Sequence, residues 1–149
     1  MDKSAEKSEE LFNSGYYWAE SVILAVAGKT DIDTALLTRL ASGFCSGMAR
    51  TSGMCGAVTG GMLALNLALG RKDQTDSIEK NYDAIQELIN RFESRFTSTN
   101  CSELLSCDLG TEEGRKKFKE EELINKCREF TSKAAGITAE ILDEVNKVG

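Results

Sequence analysis

The chain contains no histidine and no proline in 149 residues, and only one tryptophan. Without histidine there is no Ser–His or Cys–His catalytic pair, no imidazole general base and no histidine-bound zinc or haem. Ordinary proline usage of about 5% would have supplied several residues, so polyproline linkers are absent and long uninterrupted helices are the economical reading. Positive charge is also short, with 18 Lys and Arg against 24 Asp and Glu, a net of −6. A nucleic-acid binder needs a basic face to displace counterions, and a polybasic membrane-surface protein needs one for anionic lipid. Neither class is expected. The stretch Met1 to Glu10 is charged and lacks the apolar run of a secretory signal.

What is present reads as one all-α domain, a single multi-helix bundle-like unit over 1–149. At this size a folded chain buries roughly 70% of the surface its unfolded form exposes, so a core needs no disulfide staples. Phe12, Gly15, Ala19, Val22, Ile23 and Val26 form one helical stripe that stops at Gly28. Thr30 or Asp31 then caps a helix through Leu40, and the glycine-punctuated stretch Gly43 to Gly53 reads as a loop. From Thr51 to Gly70 there is no charged residue for 20 positions, close to membrane-spanning length. Its five glycines and its polar residues make it a buried core helix instead, capped by Ser52, with stable membrane insertion not expected. The spacing Gly56-x-x-x-Gly60 predicts close helix packing. Ile78, Tyr82, Ile85, Ile89, Phe92 and Phe96 recur at alternating steps of 4 and 3, a seam of the heptad type that could serve a homodimer. Asn100 with Glu103 resembles a capping box, and a final helix runs from Leu123 through Val145.

Five cysteines, Cys45, Cys55, Cys101, Cys107 and Cys127, are the only soft, oxidisable side chains able to bind metal firmly. An odd number with no export signal favours reduced thiols in a cytoplasm. Cys55 and Cys101 fall at predicted helix starts, where free N–H groups and the helix dipole favour a thiolate, and Arg50 could add to this at Cys55. Cys127 sits mid-helix among Leu123, Ile124 and Phe130, the setting of a buried small hydrophobe. There is no Cys-x-x-Cys, zinc-ribbon or ferredoxin spacing, and Cys101 and Cys107 can face one another only if the helix breaks near Ser106. The mixed charges of Glu112 to Glu122 read as a solvated face, and Tyr16, Tyr17 and Trp18 as core.

Met54-Cys55-Gly56-Ala57-Val58-Thr59-Gly60-Gly61, followed by Cys101 and then Cys127, resembles the signature of the C_GCAxxG_C_C family of redox-active proteins. The stretches Gly43-Phe44 to Arg50 and Arg91-Phe92-Glu93 fit it as well, so the resemblance covers about Gly15 to Phe130. It implies a small helical domain with four characteristic cysteines in redox or metal chemistry. By position Cys55, Cys101 and Cys127 match the last three. The segment that carries the first reads Gly15-Tyr16-Tyr17-Trp18-Ala19-Glu20-Ser21-Val22 here, with Trp18 in the cysteine's place.

The expected function is therefore redox or metal chemistry at clustered thiols, with Cys55, Cys101 and Cys127 as redox and ligand candidates. Cys45 or Cys107 would substitute for the missing thiol, or a noncysteine ligand or an open coordination position would complete the site. An iron–sulfur cluster or another thiolate-bound metal would be the cofactor and a redox protein the partner. A helical interaction module that kept the fold and lost the site is the alternative.

Overall fold

Helical spacing of the apolar residues produces nine helical segments among the residues described, 3–28 and 30–148 of the computed structural model. They are α1 (Lys3–Asn13), α2 (Trp18–Ala27), α3 (Thr34–Ser42), α4 (Cys45–Arg50), α5 (Gly56–Leu69), α6 (Glu79–Phe96), α7 (Cys101–Leu105), α8 (Glu112–Glu120) and α9 (Ile124–Val148). The described residues contain no strand, only an isolated antiparallel bridge between Met54 and Asn100. Met1 and Asp2, at the head of the charged N-terminal stretch, lie outside the described residues.

The charge-free segment is the heart of the core. Gly56, Ala57, Val58, Thr59, Gly60, Gly61, Ala64 and Leu65 of α5 are buried, while the last turn reaches the surface with Leu67 exposed. A Cβ on Gly60 would fall 2.7 Å from the Ala19 carbonyl and 2.9 Å from Val22 Cβ, so glycine lets α5 lie directly on α2. The small-residue spacing thus does what it predicts. Helix α9 runs alongside, in contact with α1, α2, α5 and α6. Among the described residues no helix is long and apolar enough to cross a membrane.

Several boundaries differ from the sequence expectation, each for a local reason. The stripe from Phe12 to Val26 is two helices, because Gly15 takes φ +114° and the chain turns between Asn13 and Trp18. Helix α2 then starts on the Tyr17 N–H, which donates to Glu20 Oε1 at 3.0 Å, and Gly28 stops it as expected. The cap of α3 is Asp33, whose Oδ1 accepts from the Ala35 N–H at 3.2 Å; Thr30 instead bonds the Ile32 N–H. In α6 the buried line is Asn81, Ala84, Leu88 and Phe92, which shares Phe92 with the expected seam and otherwise lies one position round from it. Ile85, Ile89 and Phe96 are half-buried against the same core and Tyr82 is exposed, because the buried Asn81 is held by a 2.9 Å bond from its Nδ2 to Asn66 Oδ1 on α5. Trp18 is buried edge-on to Phe12, whereas Tyr17 is 58% exposed and stacked on Trp18 from outside, so it is not a core residue.

Candidate functional site

The start of α5 is set by Cys55, not by Ser52. The Cys55 carbonyl accepts from the N–H groups of Val58 and Thr59 at 3.0 and 3.1 Å, and its side chain is therefore at the N-cap. Around the Met54–Asn100 bridge the Cys55 N–H donates to the Thr99 carbonyl at 2.7 Å and the Cys101 N–H to the Gly53 carbonyl at 2.9 Å. Side chains alternate along such a pair, so Cys55 and Cys101 leave on the same face, as diagonal neighbours across the two segments, a relation that sets Cα atoms about 7–8 Å apart. Asn100 fixes this junction from both sides. Its Oδ1 caps α7 through the Glu103 N–H at 3.1 Å, and its Nδ2 donates to the Ser52 carbonyl at 2.7 Å. The expected return bond from Asn100 to Glu103 is replaced by a relay through Ser98, whose Oγ accepts from the Asn100 N–H and donates to Glu103 Oε2.

The stretch expected to be a loop is a turn of left-handed helix. Ser46, Gly47, Met48, Ala49 and Arg50 have φ from 57° to 67°, and Ser52 follows at 58°. L-residues in this conformation cost about 1–2 kcal/mol each and rarely occur in succession. The surroundings hold them in place. Thr51 and Gly53 both donate their N–H to the Gly47 carbonyl, at 3.2 and 3.0 Å, Thr51 Oγ1 donates to Met48, and Ser52 Oγ to Asp108 Oδ1. Gly47 is the buried point of the turn, against the side chain of Cys101.

Cys127 arrives from the opposite side, on α9, where Thr131 Oγ1 bonds its carbonyl at 2.7 Å. Cys55, Cys101 and Cys127 together line one cavity with Trp18, Ser46, Gly47, Gly56, Leu104, Leu105, Leu109 and Phe130. Its volume of about 10 Å³ is at the lower limit for a single water. The structure therefore gathers the three cysteines of the motif, from the cap of α5, the first residue of α7 and the middle of α9. Trp18, read from the sequence as core and as standing in place of the family's first cysteine, forms part of the wall. The left-handed turn left no sequence signal beyond the glycines at 43, 47 and 53.

Cys45 and Cys107 do not line the cavity. Cys45 is buried beside the start of α2, its thiol directed at the Ala41 carbonyl at 3.7 Å, with the N–H groups of Ala19 and Glu20 facing it. Cys107 is half-exposed, one residue past the left-handed Ser106 that ends α7. That break near Ser106 is the one the sequence required for Cys107 to approach Cys101.

Electrostatics overturn the expected thiolates. Burial pushes the thiol of Cys55 up to about 12, with the N–H groups of Ala57 and Val58 opposing it and the neighbouring Cys101 adding to it. Burial likewise raises Cys101 to about 11, reinforced by Cys107 and Asp108. Cys127 is raised to about 12 by burial, against a hydrogen bond from the Trp18 side chain. The helix-start effect is present at Cys55, but loss of water outweighs it, as expected for a charge moved into an apolar site. Arg50 is exposed on the left-handed turn and is not among the groups acting on Cys55.

The donor set also bears on metal. Among the described residues no three Cys, Asp or Glu side chains come close enough together to hold an ion. An iron–sulfur cluster takes four thiolates, and here three thiols and an indole meet around a space the size of one water. As arranged, these residues do not fit a cluster.

No curated protein and no solved structure matches the chain. The sequence model of one family, described as "Putative redox-active protein (C_GCAxxG_C_C)", matches residues 16–141, a span that includes Trp18, the left-handed turn and all five cysteines. With the motif, the three gathered thiols and most of the chain accounted for, the protein belongs to the C_GCAxxG_C_C family.

Proposed function

We propose that this protein does two-electron thiol chemistry through Cys55, Cys101 and Cys127, without a resident metal. The observation that supports this is the convergence of three cysteines from three separate elements on one small cavity. Cys55 and Cys101 share a face of the bridged segments, and Cys127 lies across the cavity beneath the Trp18 indole. Two thiols that approach to disulfide distance give up two electrons and two protons, and reduction returns both. Burial keeps the thiols protonated, and so slows their oxidation, because the thiolate is the reacting form.

The test is titration of the whole protein in dithiothreitol buffers of graded reduced-to-oxidised ratio, read by intact mass and by peptide mapping. A disulfide linking two of the three cysteines, reversible across the series, is the expected outcome. Metal analysis of anaerobically purified protein accompanies it, since a stoichiometric metal with charge-transfer absorption would replace this reading with the metal-centre one.

The second reading is a helical interaction module that has kept the fold and lost the chemistry. It draws on Trp18, which occupies the first-cysteine position and fills its space. Thiols that stay reduced across the whole titration, with no metal bound, would favour it.

A further inference from the structure

Among the described residues that line the thiol cavity, Ser46 and Leu104 alone are not fully buried, so they mark where the cavity comes nearest to solvent. Leu104 belongs to the α-helical turn of α7 and packs against the core. Ser46 opens the left-handed turn, in which Ser46, Met48, Ala49, Arg50 and Ser52 all hold φ between 57° and 65° without being glycine. On its inner side Gly47 rests on the Cys101 side chain. The start of the turn lies against the start of α5, where a Cβ on Gly56 would fall 3.1 Å from both the Phe44 carbonyl and Cys45 Cα, next to Cys55. Hydrogen bonds fasten the turn at its two ends. Thr59 Oγ1 donates to the Phe44 carbonyl at 3.3 Å, and at the far end Asn100 holds the Ser52 carbonyl while Ser52 Oγ donates to Asp108. The turn thus covers two of the three thiols, is fastened at its ends and is strained along its middle.

We propose that the left-handed turn over 46–52 is a spring-loaded lid on the thiol cavity. Release of Ser52 lets its residues relax to right-handed or extended backbone and uncovers Cys101 and Cys55. This rests on the thiol-redox reading above and says how a reagent reaches thiols around a space at the lower limit for one water. The strain is the device. Each left-handed residue other than glycine raises the energy of the closed turn and leaves the open one untouched, so opening is easier than from a relaxed turn. The fastening and the thiol it guards share one segment of chain, since Asn100 and Asp108 stand on either side of Cys101.

The experiment labels the reduced full-length protein with iodoacetamide over time, read by peptide mass spectrometry, in two variants expected to act in opposite directions. Ala49 is exposed at φ 57°, so Ala49→Gly relieves strain without touching the cavity. It should slow labelling of Cys101 and Cys55 about threefold, because the strain removed outweighs the freedom glycine adds to the open turn. Cys107, outside the cavity, should keep its rate. Ser52→Ala removes the bond to Asp108 and should quicken labelling of Cys101 and Cys55 about fivefold. Hydrogen exchange should show the amides of 47–53 opening more readily than those of α5, to an extent that dilute urea does not change. Turn amides that exchange only together with α5 overturn the lid, as does an Ala49→Gly variant that labels as fast as the unmodified protein or faster. If labelling follows the variants and the dithiothreitol series yields no protein disulfide, the lid stands and the redox reading falls. If a disulfide forms and the variants leave labelling unchanged, the lid falls and the redox reading stands.

Discussion

A Cβ placed on Gly47 would lie 2.6 Å from Cβ of Cys101 and 3.0 Å from its sulfur. The left-handed turn is therefore pressed onto the thiol it covers, and glycine is the one residue that permits both the φ of +67° and the contact. Gly47→Ala should be destabilising by about 2–4 kcal/mol, combining left-handed strain with overpacking at a buried contact. Urea denaturation measures the loss. Faster alkylation of Cys101 in the folded variant should accompany it, because the turn is displaced from the thiol.

Reactivity of the reduced protein should follow access and not helix position. Cys107 should alkylate first with iodoacetamide at neutral pH, and Cys101, raised to about 11, should precede Cys55 and Cys127, raised to about 12. Peptide-level mass spectrometry over a time course gives the order. Cys55 reacting as fast as Cys107 would mean that the cap of α5 activates its thiol after all.

The buried thiols also set a pH dependence. Free thiols titrate near 8.5, whereas Cys55 and Cys127 hold their protons up to about 12 in the folded chain. Their contribution to stability is complete below the unfolded value and falls as pH rises from there toward the folded value, because the unfolded chain ionises first. The loss approaches about 1.4 kcal/mol per pH unit for each fully buried thiol. Unfolding free energies between pH 8 and pH 10 should fall less steeply in Cys127→Ala than in the unmodified protein, by about one thiol's share.

Ser21 is fully buried on α2, and its hydroxyl has no hydrogen-bond partner among the described residues. A buried polar group left unpaired costs about 1–3 kcal/mol. Ser21→Ala should raise the stability by about 1 kcal/mol and leave the thiol chemistry as it was. Thermal unfolding with the alkylation assay checks both halves.

Much of this was legible in the sequence because it depends on repeating patterns or on residues with one strong preference. The absence of proline, the charge-free run ending at Gly70 and the stop at Gly28 gave the helices and the central one among them. Gly56 and Gly60 gave the close approach of α5. The cysteines at 55, 101 and 127 were readable as a set from the family motif, but not their protonation state. A helix start is a local feature, whereas burial at Cys55 comes from Trp18, Leu105 and Phe130, far away in the chain. The left-handed turn was not legible because Ser46, Met48, Ala49 and Arg50 carry no preference for it. Their conformation is imposed by Asn100 on Ser52, by Asp108 on the same residue and by Cys101 at Gly47. The expected α6 seam keeps Phe92 in the core and Ile85, Ile89 and Phe96 against it, but misses Asn81, which looks like a surface residue until Asn66 is placed opposite it.

Trp18 is the chain's one tryptophan, and it sits with Cys55, Cys101 and Cys127 in the wall of the thiol cavity. All indole emission from the protein therefore originates at the place where the chemistry is proposed. A neighbouring thiol, thiolate and disulfide quench an excited indole to different degrees. Trp18 is thus an optical gauge built into the site, so the redox state of the buried set can be followed in real time without a label.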